Sequence, residues 1–341
     1  MTNTANPNIL RHQLAQFLST QTGQVIAITQ LTPLAGGASR ESWLVETTAG
    51  GTAHKWVLRK DLPTTMNDDA LTRAQEYSVM QTAHDAGVQV ARMRFLCEDP
   101  NLLGLPFFLM DYVEGVSIGR KVITQPELAQ ARAVLPEQLA QQLAKIHTIN
   151  PDAPQLSFLM RPADTKPALT ALRAAYSTLD KLGVSVPALE YGLRWCTRHA
   201  PASDRITVLH GDFRVGNLLV DEAGLAAVID WEFAHIGDPV EDIGYLCMRD
   251  WRFGNDQQQV GGLCDRERFL TAYEQHSGQQ IDRAAADWWE IIGNLRWAII
   301  CLAQAERHLS GQDVSVELAS LGRRSAEMQL EALRLIERAG G

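Results

Sequence analysis

The sequence predicts an α+β protein of two lobes: a smaller N-terminal lobe built on an antiparallel sheet with one main helix, and a larger, mostly helical C-terminal lobe. Three observations carry this. Strand-like runs crowd into the first 113 residues, and long helical periodicities fill most of the rest. At 341 residues and 37.7 kDa the chain also exceeds the ~250–300 residues at which a single core stops growing. The expected division is 1–113 and 114–341.

Residues 1–22 read as an amphipathic helix. VIAITQL (25–31), ESWLVETT (41–48), HKWVLRK (54–60), ARMRFLCED (91–99) and FFLMDYV (107–113) are rich in β-branched and aromatic residues and read as strands. DDALTRAQEYSVMQTAHDAG (68–87) interrupts them as a helix, with Asp68 or Asp69 as N-cap and Gly87 as the stop. Beyond VEGVSIG (113–119) the texture is helical. Pro136 opens a helix with Leu139, Leu143 and Ile146 on one face, and further helices follow over 166–181, 186–199, 238–249, 265–276, 282–308 and 314–338. One stretch breaks the helical texture: NLLVD and LAAVID flank the turn signal EAG and read as a small hairpin.

Composition narrows the partners. With 45% hydrophobic and 21% charged residues this is an ordinary globular chain. A formal charge of −9 argues against nucleic acid and anionic membrane, which both call for a concentrated basic surface. The net charge is −2 before residue 113 and −7 after it, as a metal site or a cationic ligand requires and as plain solvated surface also gives. No run approaches the ~18–20 apolar residues of a membrane span, and residues 1–23 lack a signal peptide's basic flank and apolar core, so a cytoplasmic protein is expected. Five scattered cysteines without a C-x-x-C pair indicate reduced, buried thiols.

The chemistry concentrates in LHGDFRVGNLLVDEAGLAAVIDWE (209–232). Phosphoryl transfer asks little covalent chemistry of a protein. It needs an aligned acceptor oxygen, a divalent metal to spread charge and a carboxylate to orient the attacking hydroxyl. Asp212 supplies that carboxylate as base or orienter, Asn217 a neutral metal ligand and Asp230 a charged one, and magnesium prefers such oxygens.

The protein-kinase catalytic loop reads H-R-D-x-x-x-x-N, followed by a strand pair and the metal-binding Asp of D-F-G. Here the spacing is kept as His210-Gly211-Asp212-x-x-x-x-Asn217, then the hairpin, then Asp230-Trp231-Glu232. A chance match of this kind in a chain of this length is about one in a thousand. With HGD in place of HRD the chain resembles the aminoglycoside phosphotransferase and choline kinase family, from about residue 24 to 310. That resemblance implies a protein-kinase-like fold, ATP and Mg as cofactors, and a kinase acting on a small-molecule hydroxyl.

The family's other parts occur in the expected order. LAGGASRESWLVE offers Gly36 and Gly37 where backbone N–H groups approach phosphate. Trp56-Val57-Leu58-Arg59 matches the third kinase strand, placing Arg59 in the phosphate-contacting lysine slot, with Lys60 on the opposite face by period two. Glu76, on the following helix, is the expected partner of Arg59. FFLMDYVEG resembles the hinge whose backbone at Met110, Asp111, Tyr112 and Val113 binds adenine. His210 reads as a loop-orienting histidine, His147 as packing, Asp238 as an N-cap with Pro239 at N1, and Asp242 as a brace for the catalytic loop. Arg214 either binds phosphate or neutralises the carboxylates.

The reading V-L-R brings the chain closest to the phosphotransferase branch fused ahead of certain acyl-CoA dehydrogenases, which implies a hydroxyl on an acid or acyl thioester as acceptor. The DWE segment, the following GDP-x-x-D and an ordinary helical C-terminus argue against a true aminoglycoside kinase. Glu232, Glu241 and Asp242 with Trp231, Tyr245, Trp251, Trp288, Trp289 and Trp297 form either a cage for an amine-bearing acceptor or core. The absence of an A-P-E motif after DWE argues against a protein kinase. The rival of another class is a non-catalytic nucleotide-binding or scaffolding protein, for which Arg59 in the lysine slot is the best support.

Overall fold

The computed structural model describes residues 7–34, 40–61, 70–163, 166–203 and 205–340. Helix α1 (Pro7–Thr22) precedes strands β1 (Ile26–Pro33), β2 (Arg40–Ala49) and β3 (Thr52–Asp61). Helix α2 (Arg73–Asp85), β4 (Met93–Cys97), the single turn α3 (Pro100–Leu103) and β5 (Phe107–Asp111) follow. All pairings are antiparallel in the order β1-β2-β3-β5-β4, so β3 lies at the centre, with Arg59 opposite Phe108 of β5.

Alternation along β3 gives the sheet two different faces. Trp56 and Leu58 join Leu10, Leu14 and Leu18 of α1 in one core, while Val57 joins Val79, Met80 and Ala83 of α2 in another that continues into the helical lobe. Arg59 shares the α2 face with Val57. Lys60 lies on the α1 face and pairs with Glu41, directly opposite on β2, at 3.1 Å.

The larger lobe begins with α4 (Gly119–Thr124) and α5 (Ala129–Ile146), then α6 (Pro167–Leu182) and α7 (Pro187–Arg198). Short strands β6 (Thr207–Leu209), β7 (Leu218–Asp221), β8 (Gly224–Val228) and β9 (His235–Gly237) carry and flank the 209–232 segment. Helices α8 (Pro239–Cys247), α9 (Arg266–Ser277), α10 (Arg283–Leu309) and α11 (Val316–Arg338) complete the lobe. Helix α10 is the axis, packed on α6, α7, α8 and α11. All five cysteines are free and buried. Among the described residues no helix is long and apolar enough to cross a membrane.

Two local expectations are corrected. Pro136 does not open a helix but lies inside α5. A proline there forfeits the bond to the Arg132 carbonyl and costs about 3 kcal/mol, which the buried stripe of Ala131, Leu135, Leu139 and Leu143 outweighs. The cap of α2 is Thr72, not Asp68 or Asp69, both of which lie outside the described residues. The Thr72 hydroxyl accepts from Gln75 N–H, and the Gln75 side chain accepts in return from Thr72 N–H. Gly87 does stop the helix, with φ +78°. The β6–β9 pair, only three residues a side, went unread in the sequence.

Candidate active site

The site is built on the two ends of the β7–β8 hairpin. Ile229 N–H donates to the Asn217 carbonyl at 3.0 Å, so the hairpin returns the chain to its start and sets Asp230 beside Asn217. Asp230 is held at φ +64°, a left-handed conformation that non-glycine residues adopt at some cost. Ahead of the hairpin, Asn217 donates its side-chain amide to the Asp212 carboxylate at 2.6 Å and to the Asp212 carbonyl at 2.9 Å. Asp212, Asn217 and Asp230 are thereby brought together.

Asp242 fixes the loop from below. It is fully buried, accepts from the backbone N–H groups of His210 (2.8 Å) and Gly211 (2.9 Å), and lies 3.3 Å from Nε2 of His147, whose Nδ1 meets the Tyr273 hydroxyl at 2.8 Å. Burial alone would raise the Asp242 pKa, but the hydrogen bond and charge of His147, with His210 beside it, bring it below the usual carboxylate value. Asp238 caps α8 through Val240 N–H at 2.9 Å, with Pro239 at N1.

His210 donates from Nε2 to the Ile229 carbonyl at 3.0 Å and accepts at Nδ1 from Asp212 N–H at 3.2 Å. It is packed between Phe213 and Trp231, and burial lowers its pKa. With Nε2 donating and Nδ1 accepting, the imidazole ties the two halves of the loop together. Gly211 has φ +79°, and a Cβ there would collide with the Phe233 carbonyl oxygen. This loop path therefore requires HGD, because no side chain fits at the middle position.

On the sheet side Arg59 Nη2 lies 2.8 Å from Asp230 and Nη1 3.5 Å from Glu76. Burial disfavours the charge, yet Glu76, Asp230 and Glu232 together hold the guanidinium above its ordinary pKa. Glu76 is also hydrogen-bonded by Arg73, a wholly buried cation that sequence reasoning missed; its one signal was its place three residues before Glu76 on the same helix. Gly36 and Gly37 lie outside the described residues. At the hinge, Met110 is buried between Met93 and Val57. Asp111 turns its carboxylate to Arg94 (2.6 and 2.7 Å), and the N–H groups of Asp111 and Tyr112 donate to the Arg92 and Lys55 carbonyls. No described backbone bond takes the Val113 N–H.

Four of the residues considered for an amine cage, Trp288, Trp289, Trp251 and Glu241, have other partners. Trp288 and Trp289 are core, their indole N–H groups donating to Cys196 and Asp238. Arg214 covers the Trp251 ring at 4.8 Å and donates to Asp212 at 3.1 Å. Glu241 lies between His235 (3.5 Å) and Arg296; burial opposes its charge, but these cations hold its pKa at about 2.

The donor set fits magnesium. Asn217 spends its amide N–H on Asp212, so its carbonyl oxygen is the face left for a metal, and the Asp230 carboxylate, 38% exposed, lies alongside. Among the described residues no three His, Cys, Asp or Glu side chains form a closed metal cage. Magnesium bound with phosphate uses only one or two protein oxygens.

A five-stranded antiparallel sheet with one inward helix, joined through residues 112–118 to a helical lobe that carries the β7–β8 hairpin, is the protein-kinase-like fold. The chain belongs to the phosphotransferase enzyme family, whose model matches residues 30–289. It is similar to mouse acyl-CoA dehydrogenase family member 10 (32% identity over 199 residues, 56% of this chain and 18% of that protein). It is also similar to the probable acyl-CoA dehydrogenase IBR3 of Arabidopsis thaliana (26% over 330 residues, 89% and 39%). The chain thus spans well under half the length of these relatives. Among solved structures it resembles a putative aminoglycoside phosphotransferase from Ralstonia eutropha, with TM-score 0.74, 22% identity and coverage of 96% of this chain and 98% of that one. An aminoglycoside phosphotransferase in ternary complex with ADP and hygromycin B gives TM-score 0.65 at 14% identity, covering 95% and 98%.

Proposed function

We propose that this chain is an ATP-dependent kinase that transfers the γ-phosphate to a hydroxyl of a small molecule bound between lobes 1–113 and 114–341. The observation that carries the reading is the Asp212–Asn217 hydrogen bond, with Asp230 set beside it by the hairpin. Asp212 orients the acceptor hydroxyl and takes its proton, with Arg214 moderating its charge. Asn217 and Asp230 hold magnesium, which when bound spreads the phosphate charge. Arg59 faces the phosphates, the family resemblance assigns Gly36 and Gly37 to phosphate binding, and adenine lies at the hinge, where Val113 N–H is the donor left for its edge. Relatives named as acyl-CoA dehydrogenases favour a hydroxy acid or its thioester as acceptor over an amine.

The test is magnesium-dependent transfer from labelled ATP to a panel of hydroxy acids, their thioesters, amino alcohols, sugars and aminoglycosides, run beside Asp212→Ala. Transfer to one class that vanishes in the variant establishes reaction and acceptor together. The direct Arg59–Asp230 pair favours a second reading, a non-catalytic nucleotide-binding or scaffolding protein. ATP binding with no turnover of any acceptor, or of water, would select it.

A further inference from the structure

Among the described residues Glu76 meets the cations Arg59 and Arg73, and they are not equivalent. Arg73 is the first residue of α2, where the helix dipole disfavours a cation, and its side chain is wholly buried. A guanidinium tolerates such a place only when its charge is compensated. That of Arg73 is: one nitrogen bonds Glu76, Nη2 donates to the Leu71 carbonyl at 3.2 Å, and Nε, without a hydrogen bond, lies 3.0 Å from the Asp61 carboxylate at the end of β3. The group also lies 5.8 Å from the centre of the Phe108 ring. Leu71 in turn donates its N–H to the Glu232 carbonyl at 2.8 Å, two residues beyond Asp230.

Glu76 is therefore hydrogen-bonded to Arg73 but 3.5 Å from Arg59, whereas Arg59 lies 2.8 Å from Asp230. We infer that Arg73 is a positioning residue: by taking Glu76 as its own partner, it turns the Arg59 guanidinium toward Asp230 and the phosphate side of the cleft. With Arg59 and Glu76 alone, the two would close on each other in a dry interior where opposite charges attract strongly. Arg59 would then point away from the phosphates. The inference rests on the proposed role of Arg59 in nucleotide binding.

Calorimetric titration of magnesium–ATP and of adenosine decides it, using the unaltered chain, Arg73→Gln, Arg73→Lys and the double variant Arg73→Gln with Glu76→Gln. Arg73→Gln weakens ATP about tenfold, the weight of one misdirected charge contact, and leaves adenosine unchanged, because only phosphates meet Arg59. Arg73→Lys recovers part of the loss. The double variant recovers more, since a neutral side chain at position 76 no longer draws Arg59 away. Equal weakening of ATP and adenosine signals structural damage and overturns the inference, as does unchanged ATP binding, or a double variant no better than the single one. Should Arg73→Gln fail to fold, Arg73→Lys decides: a loss confined to ATP supports the inference, and a uniform loss or none overturns it. An unaltered chain that binds neither ligand overturns the functional reading and this inference with it.

Discussion

The two halves of the proposed site are held by different forces. On the helical side, residues 210–242 fold into a loop whose backbone N–H groups converge on one buried carboxylate, Asp242, and whose side chains meet through directional hydrogen bonds. On the sheet side, Arg59, Arg73, Glu76 and Asp230 come from β3, α2 and the far end of the hairpin, and every contact that joins them, hydrogen-bonded or not, is between opposite charges. A hydrogen-bonded loop keeps its geometry whatever binds; a balance of charges is reset by any polyphosphate that enters. Damage to the first half is thus expected in turnover and folding, and damage to the second in nucleotide affinity.

The largest effect tests that separation directly. Asp212→Ala is expected to lower the rate of phosphate transfer by about 10²–10⁴-fold, the span of a lost general base, with ATP affinity by calorimetry unaltered. If binding collapses as well, the two halves are one unit and the comparison fails. Asp242→Ala comes next: it strands the N–H groups of His210 and Gly211 together with His147, and loss of a buried charged partner costs about 3–5 kcal/mol, read from urea unfolding. An unfolding midpoint that does not move would place the brace elsewhere. Arg59→Met follows, with ATP binding weaker by about 1.4 kcal/mol, or tenfold, and adenosine binding unchanged. Equal losses for both ligands would show that Arg59 supports the lobe instead of facing phosphate.

The same contrast explains what the sequence disclosed. His210, Asp212, Asn217 and Asp230 lie within 21 residues of chain, so their spacing encodes their meeting, and the turn signal EAG foretold the hairpin that closes it. The strands of the first lobe were legible because β-branched and aromatic residues concentrate in them, and the order of elements followed from the same runs. Arg73 was not legible: a helical arginine is ordinarily solvated, and only the sheet packed over it removes the water. The engagement of Glu241 and Trp251 also escaped reading, since their partners Arg296 and Arg214 lie 55 and 37 residues away. Pro136 misled because proline opens helices far more often than it sits within one, and the buried stripe that carries α5 through it extends to residues on both sides.

The smallest effect belongs to the His235–Glu241 pair, which joins β9 beneath the catalytic loop to α8. Burial lowers the His235 pKa, but Glu241 at 3.5 Å raises it more, with Arg296 opposing, so the folded value lies above the ordinary one. A raised folded pKa means that this contribution to stability is complete below the ordinary histidine range and is lost as pH rises through the folded value. Glu241, held at about 2 against an ordinary 4.5, behaves in the opposite sense: its contribution stands above the ordinary carboxylate range and fades as pH falls toward 2. The pair therefore stabilises most between those limits. Melting temperatures of the unaltered chain should decline from about pH 6 to about pH 8, the range in which histidine titrates, and His235→Gln should flatten that decline. An identical slope in the variant would place the titrating group elsewhere and leave the hydrogen-bonded half, like its loop, indifferent to pH in this range.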